Sequence, residues 1–123
     1  MREIKFRAWV PKLKRMGKVS EINFMTGTLA VANNPIFSEI FRLRQVRLMQ
    51  YTGLKDVNGV EIYEGDIVKF DTNVQILESE VAYYHGMFTI KKYGEKIPLF
   101  TALKVIGNKF ENPELLEVTD NEQ

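Results

Sequence analysis

Three carboxylates, Glu61, Glu64 and Asp66, fall within six residues of one another and are the raw material of an oxygen-ligand magnesium site. An extended backbone would point Glu64 and Asp66 to one side and Glu61 to the other, so a shared cation is not expected there. A metal-dependent hydrolase working through Glu64 and Asp66 stands only as a third reading. Asp56-Val57-Asn58 begins like a calcium loop, but Val60 occupies the next ligand position and the glycine comes too early. Gly53 to Gly59 is bounded by glycines yet lacks the spacing and the Lys-Ser/Thr ending of a phosphate-cradling loop. The single histidine, His85, sits between Tyr84 and Gly86 at a predicted turn, with no Ser or Asp pattern beside it to build a nucleophile. The expectation is a chain without catalytic residues, metal or cofactor.

Binding is the better use of the residues present. Gln50, Tyr51, Thr52, Lys55, Tyr63, Glu64 and Asp66 combine loop position, mixed polarity and two aromatic rings, which suits a ligand or partner. The same block also reads structurally: Gly53, Gly59 and Gly65 meet backbone requirements, and Asp56 with Asn58 fits side-chain bonding to turn amides. A second candidate surface is Lys5 and Arg7 on one strand face with Trp9, where cations hold phosphate while the ring stacks a base. The plainer account has Trp9 covering the end of the core while Lys5 and Arg7 lie along it with their charges in water. No recognition helix, zinc finger or aromatic RNA-binding signature accompanies the patch. Nucleic-acid binding is therefore the alternative function, not the first.

The elements that must position these residues are mainly strands. Ile4, Phe6, Ala8 and Val10 alternate with Lys5, Arg7 and Trp9, as a half-buried strand requires. Pro11 ends that strand, Met16-Gly17 falls in the following turn, and Val19 to Phe24 returns. The stretch from Met25 to Asn34 is ambiguous. Asn34-Pro35 offers a cap and a first helical proline, and Ile36, Phe37, Ile40 and Phe41 recur at helical spacing, which predicts a short helix over 35–43. Arg47 to Tyr51 reads as a buried strand. Asn58-Gly59 predicts a type I′ hairpin turn. Glu61 to Phe70 resumes the sheet, with a bulge or bend at Gly65-Asp66 where two strands meet. Val74 to Tyr84, Gly86, and Met87 to Lys92 form a second hairpin, and Leu99 to Ile106 adds a strand. Asn112-Pro113-Glu114-Leu115-Leu116 predicts a capped helical turn, and the residues after Val118 are expected to fray. Gly17, Gly59, Gly86, Gly94 and Gly107 come too close together for βαβ crossovers and favour antiparallel topology.

A chain of 123 residues fits one domain, and 45% hydrophobic with 27% charged residues is the soluble globular average. There is no cysteine, which removes disulfides, thiolate metal sites and cysteine nucleophiles. Charges scattered through the opening residues and the lack of any long apolar run argue against secretion and membrane spanning. Net charge is +1 but unevenly spread. Residues 1–18 hold seven Lys/Arg against Glu3, whereas Glu111, Glu114, Glu117, Asp120 and Glu122 have no basic residue among them. Opposed ends neutralise each other within the fold, attract neighbouring copies, or leave a basic face for phosphate.

Several of these strings together resemble a known family. Phe6-Arg-Ala-Trp9, Leu48-Met-Gln-Tyr-Thr-Gly-Leu-Lys-Asp56, Asn58-Gly59, Glu61-Ile-Tyr-Glu-Gly-Asp-Ile-Val68, and Val105-Ile-Gly-Asn108 with Glu111-Asn-Pro-Glu-Leu-Leu116 are similar in order and spacing to the YopX-like proteins of phages and prophages. Residues 25–45 and 71–99 carry the least of it. The resemblance implies phage or prophage origin, expression in the cytoplasm of a bacterial host, self-association and no established activity. The expected fold is mainly β in a single YopX-like domain over 1–123. Antiparallel hairpins form a small barrel-like sheet, with one short helix and a C-terminal helical turn. The expected function is a non-enzymatic accessory protein that assembles as a homo-oligomer and binds a host or phage macromolecule.

Overall fold

The period-two pattern at the start of the chain becomes strand β1 (Phe6–Val10), with Ala8 and Val10 buried and Arg7 and Trp9 half-buried on the opposite side. The computed structural model describes residues 3–32, 36–71, 76–92, 95–100 and 102–116. The chain divides into two compact units, Met1–Tyr51 and Thr52–Gln123.

In the first unit β1 is followed by β2 (Arg15–Asn23), β3 (Thr28–Ala32), β4 (Ser38–Arg42), a 3-10 turn (Leu43–Gln45) and the start of β5 (Arg47–Lys55). The order across the sheet is β4-β3-β2-β1-β5, with antiparallel neighbours throughout. Ala8, Val10, Leu29, Val31 and Val46 form its core, and Val19, Ile22, Phe41 and Leu43 pack against them. The first turn differs from expectation. It spans residues 11–14, with Lys14 at φ +49°, so Met16 and Gly17 lie inside β2 opposite Trp9 and Ala8. Gly17 is needed for space: a Cβ there would collide with Cγ1 of the buried Val31. The ambiguous stretch after Phe24 resolves into a turn and β3. The Asn23 carboxamide oxygen accepts from the amides of Met25 and Thr26, and Gly27 takes φ +69°.

The helix expected over 35–43 is not formed in its described part. Residues 38–42 are strand β4, paired with β3 from Thr28↔Arg42 to Ala32↔Ser38, and only Leu43–Gln45 turn helically. The apolar set that matched helical spacing does not share one buried face. Phe41 packs on the core, while Ile36, Phe37 and Ile40 are exposed. Pairing to the backbone of β3 outweighs the local pattern, and β-branched and aromatic residues suit the pleat. The proposed cap at Asn34-Pro35 lies outside the described residues.

The second unit takes over the end of β5, whose continuation pairs with β6 (Glu61–Tyr63). It then adds β7 (Asp66–Asp71), β8 (Ile76–Glu80), β9 (Ala82–Tyr84), β10 (Met87–Lys92), β11 (Glu95–Pro98) and β12 (Lys104–Asn108). Two three-stranded antiparallel sheets result, ordered β12-β7-β8 and β11-β10-β9. Ile62, Val68, Val81, Ile90 and Leu103 are the buried core, with Phe70 and Phe100 edge-to-face at 4.9 Å beside them. The bend at Gly65-Asp66 is present, with Gly65 at φ +83° between β6 and β7. The long strand expected up to Tyr84 breaks at the fully buried Val81, and Val74 and Gly94 lie outside the described residues.

The type I′ geometry expected at Asn58-Gly59 is found instead at the other hairpin. At 57–59 only Gly59 has positive φ (+82°), and Asp56 N–H bonds Val60 O (2.8 Å) while Gly59 N–H bonds Asp56 O (3.0 Å). That is a three-residue loop ending in a left-handed glycine. The two-residue turn with both φ positive, as type I′ demands, is His85 (+50°) and Gly86 (+83°). Residues 114–116 form a helical turn, as expected after Pro113. Mainly antiparallel β structure is thus what the chain adopts, although among the described residues no sheet closes into a barrel.

Candidate functional site

Asp56 directly follows β5 and is 7% exposed. Its Oδ1 accepts the amides of Asn58 (2.8 Å) and Val60 (2.9 Å), and its Oδ2 accepts the amide of Val105 (2.9 Å) in β12. Val57 N–H, next in the chain, reaches Leu103 O at 2.9 Å. Burial pushes the Asp56 carboxyl up, but the amides of Val105, Val60 and Asn58 and the Lys104 charge outweigh it. The net effect holds the group below the ordinary aspartate range. An acid held ionised by three amides is a poor proton donor and has little acceptor capacity left for a ligand.

Asp66 opens β7 at 2% exposure, and its Oδ2 accepts the amide of Tyr63 at 2.7 Å. Its backbone carbonyl takes Val81 N–H, while the flanking Gly65 donates to Val81 O and accepts from Lys109 N–H. Opposite Asp66 in register stands Asn108. The Asn108 carboxamide accepts the amides of Phe110 and Glu111 and donates to the Glu111 carboxylate, while its own amide donates to Asn112 Oδ1. Gly107 makes room for this, because a Cβ there would stand 2.5 Å from Asn112 Oδ1. Asp56, Asp66 and Asn108 each turn a buried side chain onto backbone amides, in turns or in neighbouring strands.

The seven residues suggested as a binding surface do not form one cluster within a unit. Gln50 and Tyr51 end the first unit; Thr52, Lys55, Tyr63, Glu64 and Asp66 belong to the second. Tyr51 is buried, its amide donates to Lys5 O (2.9 Å), and the Lys5 ammonium lies 5.6 Å from its ring centre. Thr52 is buried too: its hydroxyl donates to Ile62 O at 2.7 Å and accepts the Leu54 amide. Lys55 is exposed, and Tyr63 and Glu64 are half-buried. Of the set, Tyr63 and Asp66 are joined directly by the amide-to-carboxylate bond.

Lys5, Arg7 and Trp9 do share a face of the first sheet, all half-buried. Lys5 Nζ is 3.4 Å from Glu3 Oε2, so its charge already has an acidic neighbour. His85 is exposed at its turn, edge-on to Tyr84 at 4.0 Å between ring centres, and the Lys96 ammonium covers the Tyr84 ring at 3.5 Å. Among the described residues no group of three His, Cys, Asp or Glu is placed to hold a metal ion, and Glu61, Glu64 and Asp66 do not gather as one. Nor is any described helix long and apolar enough to cross a membrane.

Sequence reasoning found the Asp56–Asn58 turn but not the bond from Asp56 to Val105, which links residues 49 apart. It also missed the exposed apolar residues of β4, because a helical reading of 35–43 assigned them to a buried stripe.

The whole arrangement has counterparts among known proteins. The family model described as YopX protein matches residues 5–117. The chain belongs to the YopX family. The crystal structure of protein EF1440 from Enterococcus faecalis is similar at 31% identity, covering 94% of this chain and 99% of that one with a TM-score of 0.67. The crystal structure of the yopX protein from Bacillus subtilis has the same fold at 23% identity, covering 91% of this chain and 95% of its own with a TM-score of 0.65. No curated protein matches the chain. Within this YopX-family chain, the blocks that carried the resemblance contain Asp56, Gly59, Gly65, Asp66, Gly107, Asn108 and Asn112, the residues that position turn backbone or satisfy its amides.

Proposed function

We propose that this YopX-family chain is a non-enzymatic accessory module of phage or prophage origin that assembles with itself in the cytoplasm of a bacterial host and there holds a host or phage macromolecule. The observation that carries this reading is on the first unit. Phe24, Met25, Ile36, Phe37 and Ile40 are large apolar side chains, each at least 65% exposed, on one turn and on or beside one edge strand. Apolar surface so concentrated marks interaction sites more often than chance. In the second unit the buried carboxylates of Asp56 and Asp66 accept backbone amides.

Sedimentation velocity at micromolar concentration and low salt tests the assembly half of the proposal. A concentration-dependent species larger than the 14.3 kDa chain is expected. A monomer at every concentration would end it. A pull-down with the tagged chain from infected-host extract, competed by the untagged chain, tests the partner half.

A further inference from the structure

Resting on the self-assembly proposed above, we infer that two copies join by antiparallel pairing of β4 with the β4 of a second copy, Ile40 facing Ile40 across a two-fold axis. β4 ends the strand order of the first unit and pairs with β3 on one side. Which backbone groups face outward follows from one bond. Leu43 N–H points back to Gly27 O at 2.9 Å, on the β3 side. Backbone groups alternate along an antiparallel strand, so Phe41 and Glu39 also turn toward β3, and Arg42, Ile40 and Ser38 turn away. The amide of Arg42 conforms: it bonds Gln45 Oε1 at 2.9 Å and not β3.

That leaves Ile40 as the central residue whose N–H and C=O both face outward. A dyad at Ile40 lets each copy donate N–H to the other's C=O, and the Ser38 amide of each copy then reaches the Arg42 carbonyl of the other. A dyad centred on Arg42 would instead displace the Gln45 carboxamide. The strand contains no lysine or proline, and its register with β3 runs without a bulge.

The side chains favour a second copy over another occupant. Ile40 is 67% exposed at the centre, and Ile36 (83%) and Phe37 (65%) precede the strand. The opposite end, at Arg42, adjoins the turn that carries Phe24 and Met25, as the bond from Leu43 to Gly27 shows. Antiparallel pairing brings the Ile36 and Phe37 end of each copy to the Phe24 and Met25 end of the other. Glu39 lies on the other face of the strand from Ile40 and Arg42 and pairs with Arg15 of β2 at 3.6 Å. Two phenylalanines at about 150–250 Å² each, with Met25, Ile36 and Ile40, reach the order of the roughly 800 Å² per partner that stable interfaces bury.

The chain has no cysteine, so Ile40→Cys introduces a single thiol. Facing residues of a hydrogen-bonded antiparallel pair lie about 5.5 Å apart at Cα, within disulfide reach. Mild oxidation of the Ile40→Cys protein at micromolar concentration is expected to give a covalent dimer on a non-reducing gel, at least ten times faster than Val57→Cys, whose site is exposed in the second unit. Ile40→Lys, checked for retained strand content by circular dichroism, is expected to sediment as a smaller species than the parent chain. If the parent assembles but Ile40→Cys crosslinks no faster than the control, or a folded Ile40→Lys assembles undiminished, the β4 pairing is wrong and self-assembly stands. If the parent is monomeric, both fall.

Discussion

The carboxylate of Asp56 accepts the amide of Val105 at 2.9 Å, joining the end of β5 to β12 across 49 residues of chain. With the amides of Asn58 and Val60 on its other oxygen, one buried side chain holds a loop closed and ties it to a strand from the far end of the sequence. Much of the second unit's behaviour should trace to that residue.

Asp56→Ala strips three amides of their acceptor. Each buried donor left without a partner costs about 1–3 kcal/mol, and water entering the exposed loop recovers part of the loss. A destabilisation on the order of 3 kcal/mol is expected in urea unfolding, with Asp56→Asn losing less because its carbonyl still accepts. An alanine variant within about 0.5 kcal/mol of the parent, the range of ordinary surface changes, would show that these bonds contribute little.

The same contacts set a pH dependence. The folded Asp56 pKa lies below its unfolded value near 3.8, so the unfolded chain binds the proton more readily. The contribution is therefore complete above the unfolded value and is lost as pH falls through the folded one. Unfolding free energy measured from pH 6 down to about pH 2.5 should fall more steeply for the parent chain than for Asp56→Asn, which has no proton to take up there. Parallel curves would contradict the assignment.

Gly17 tests packing instead of charge. A methyl group at this position meets Cγ1 of Val31, which is buried in the first core. Gly17→Ala should cost about 1–3 kcal/mol, the usual penalty of overpacking. In the double variant with Val31→Ala the two changes should not add, and full additivity in a thermodynamic cycle would count against direct contact.

At the β9–β10 turn, His85 adopts φ +50° next to Gly86. Asn-Gly is the favoured pair for such a turn. His85→Asn should leave stability unchanged or raise it by up to about 1 kcal/mol, whereas His85→Val should lower it, because β-branched residues resist positive φ. A thermal melt showing the reverse order would rule out the turn geometry.

The basic face of β1 gives a last test. Lys5 lies beside Glu3 and over Tyr51, so labelled single-stranded DNA at about 50 mM salt should give a flat anisotropy titration. Binding that weakens steeply with salt and is lost in Lys5→Ala/Arg7→Ala would favour the nucleic-acid role instead.

Some of this was legible in the residues alone. Alternation from Phe6 to Val10, the bend at Gly65, the Asp56–Asn58 turn and the helical turn after Pro113 all depend on contacts within a few residues, and local sterics and short side-chain-to-amide bonds determine such features. The residues of β4 deceived because Ile36, Phe37, Ile40 and Phe41 satisfy helical and extended patterns alike. The tie was broken by β3, whose unpaired backbone needed a neighbour.

Of the proposed binding set, the sequence supplied types but not surroundings. Thr52 and Asp66 looked available for a ligand because burial and hydrogen-bond partners are properties of the assembled strands. By itself the sequence determined family, antiparallel β character and the positions of most reversals, since each is written in short-range pattern. Only tertiary structure decided that Asp56 reaches Val105, that Gly17 yields to Val31, and that β4 lies at an edge with Ile40 exposed. Those outcomes depend on which distant backbone stands alongside, and a period of two along one strand carries no information about its neighbour.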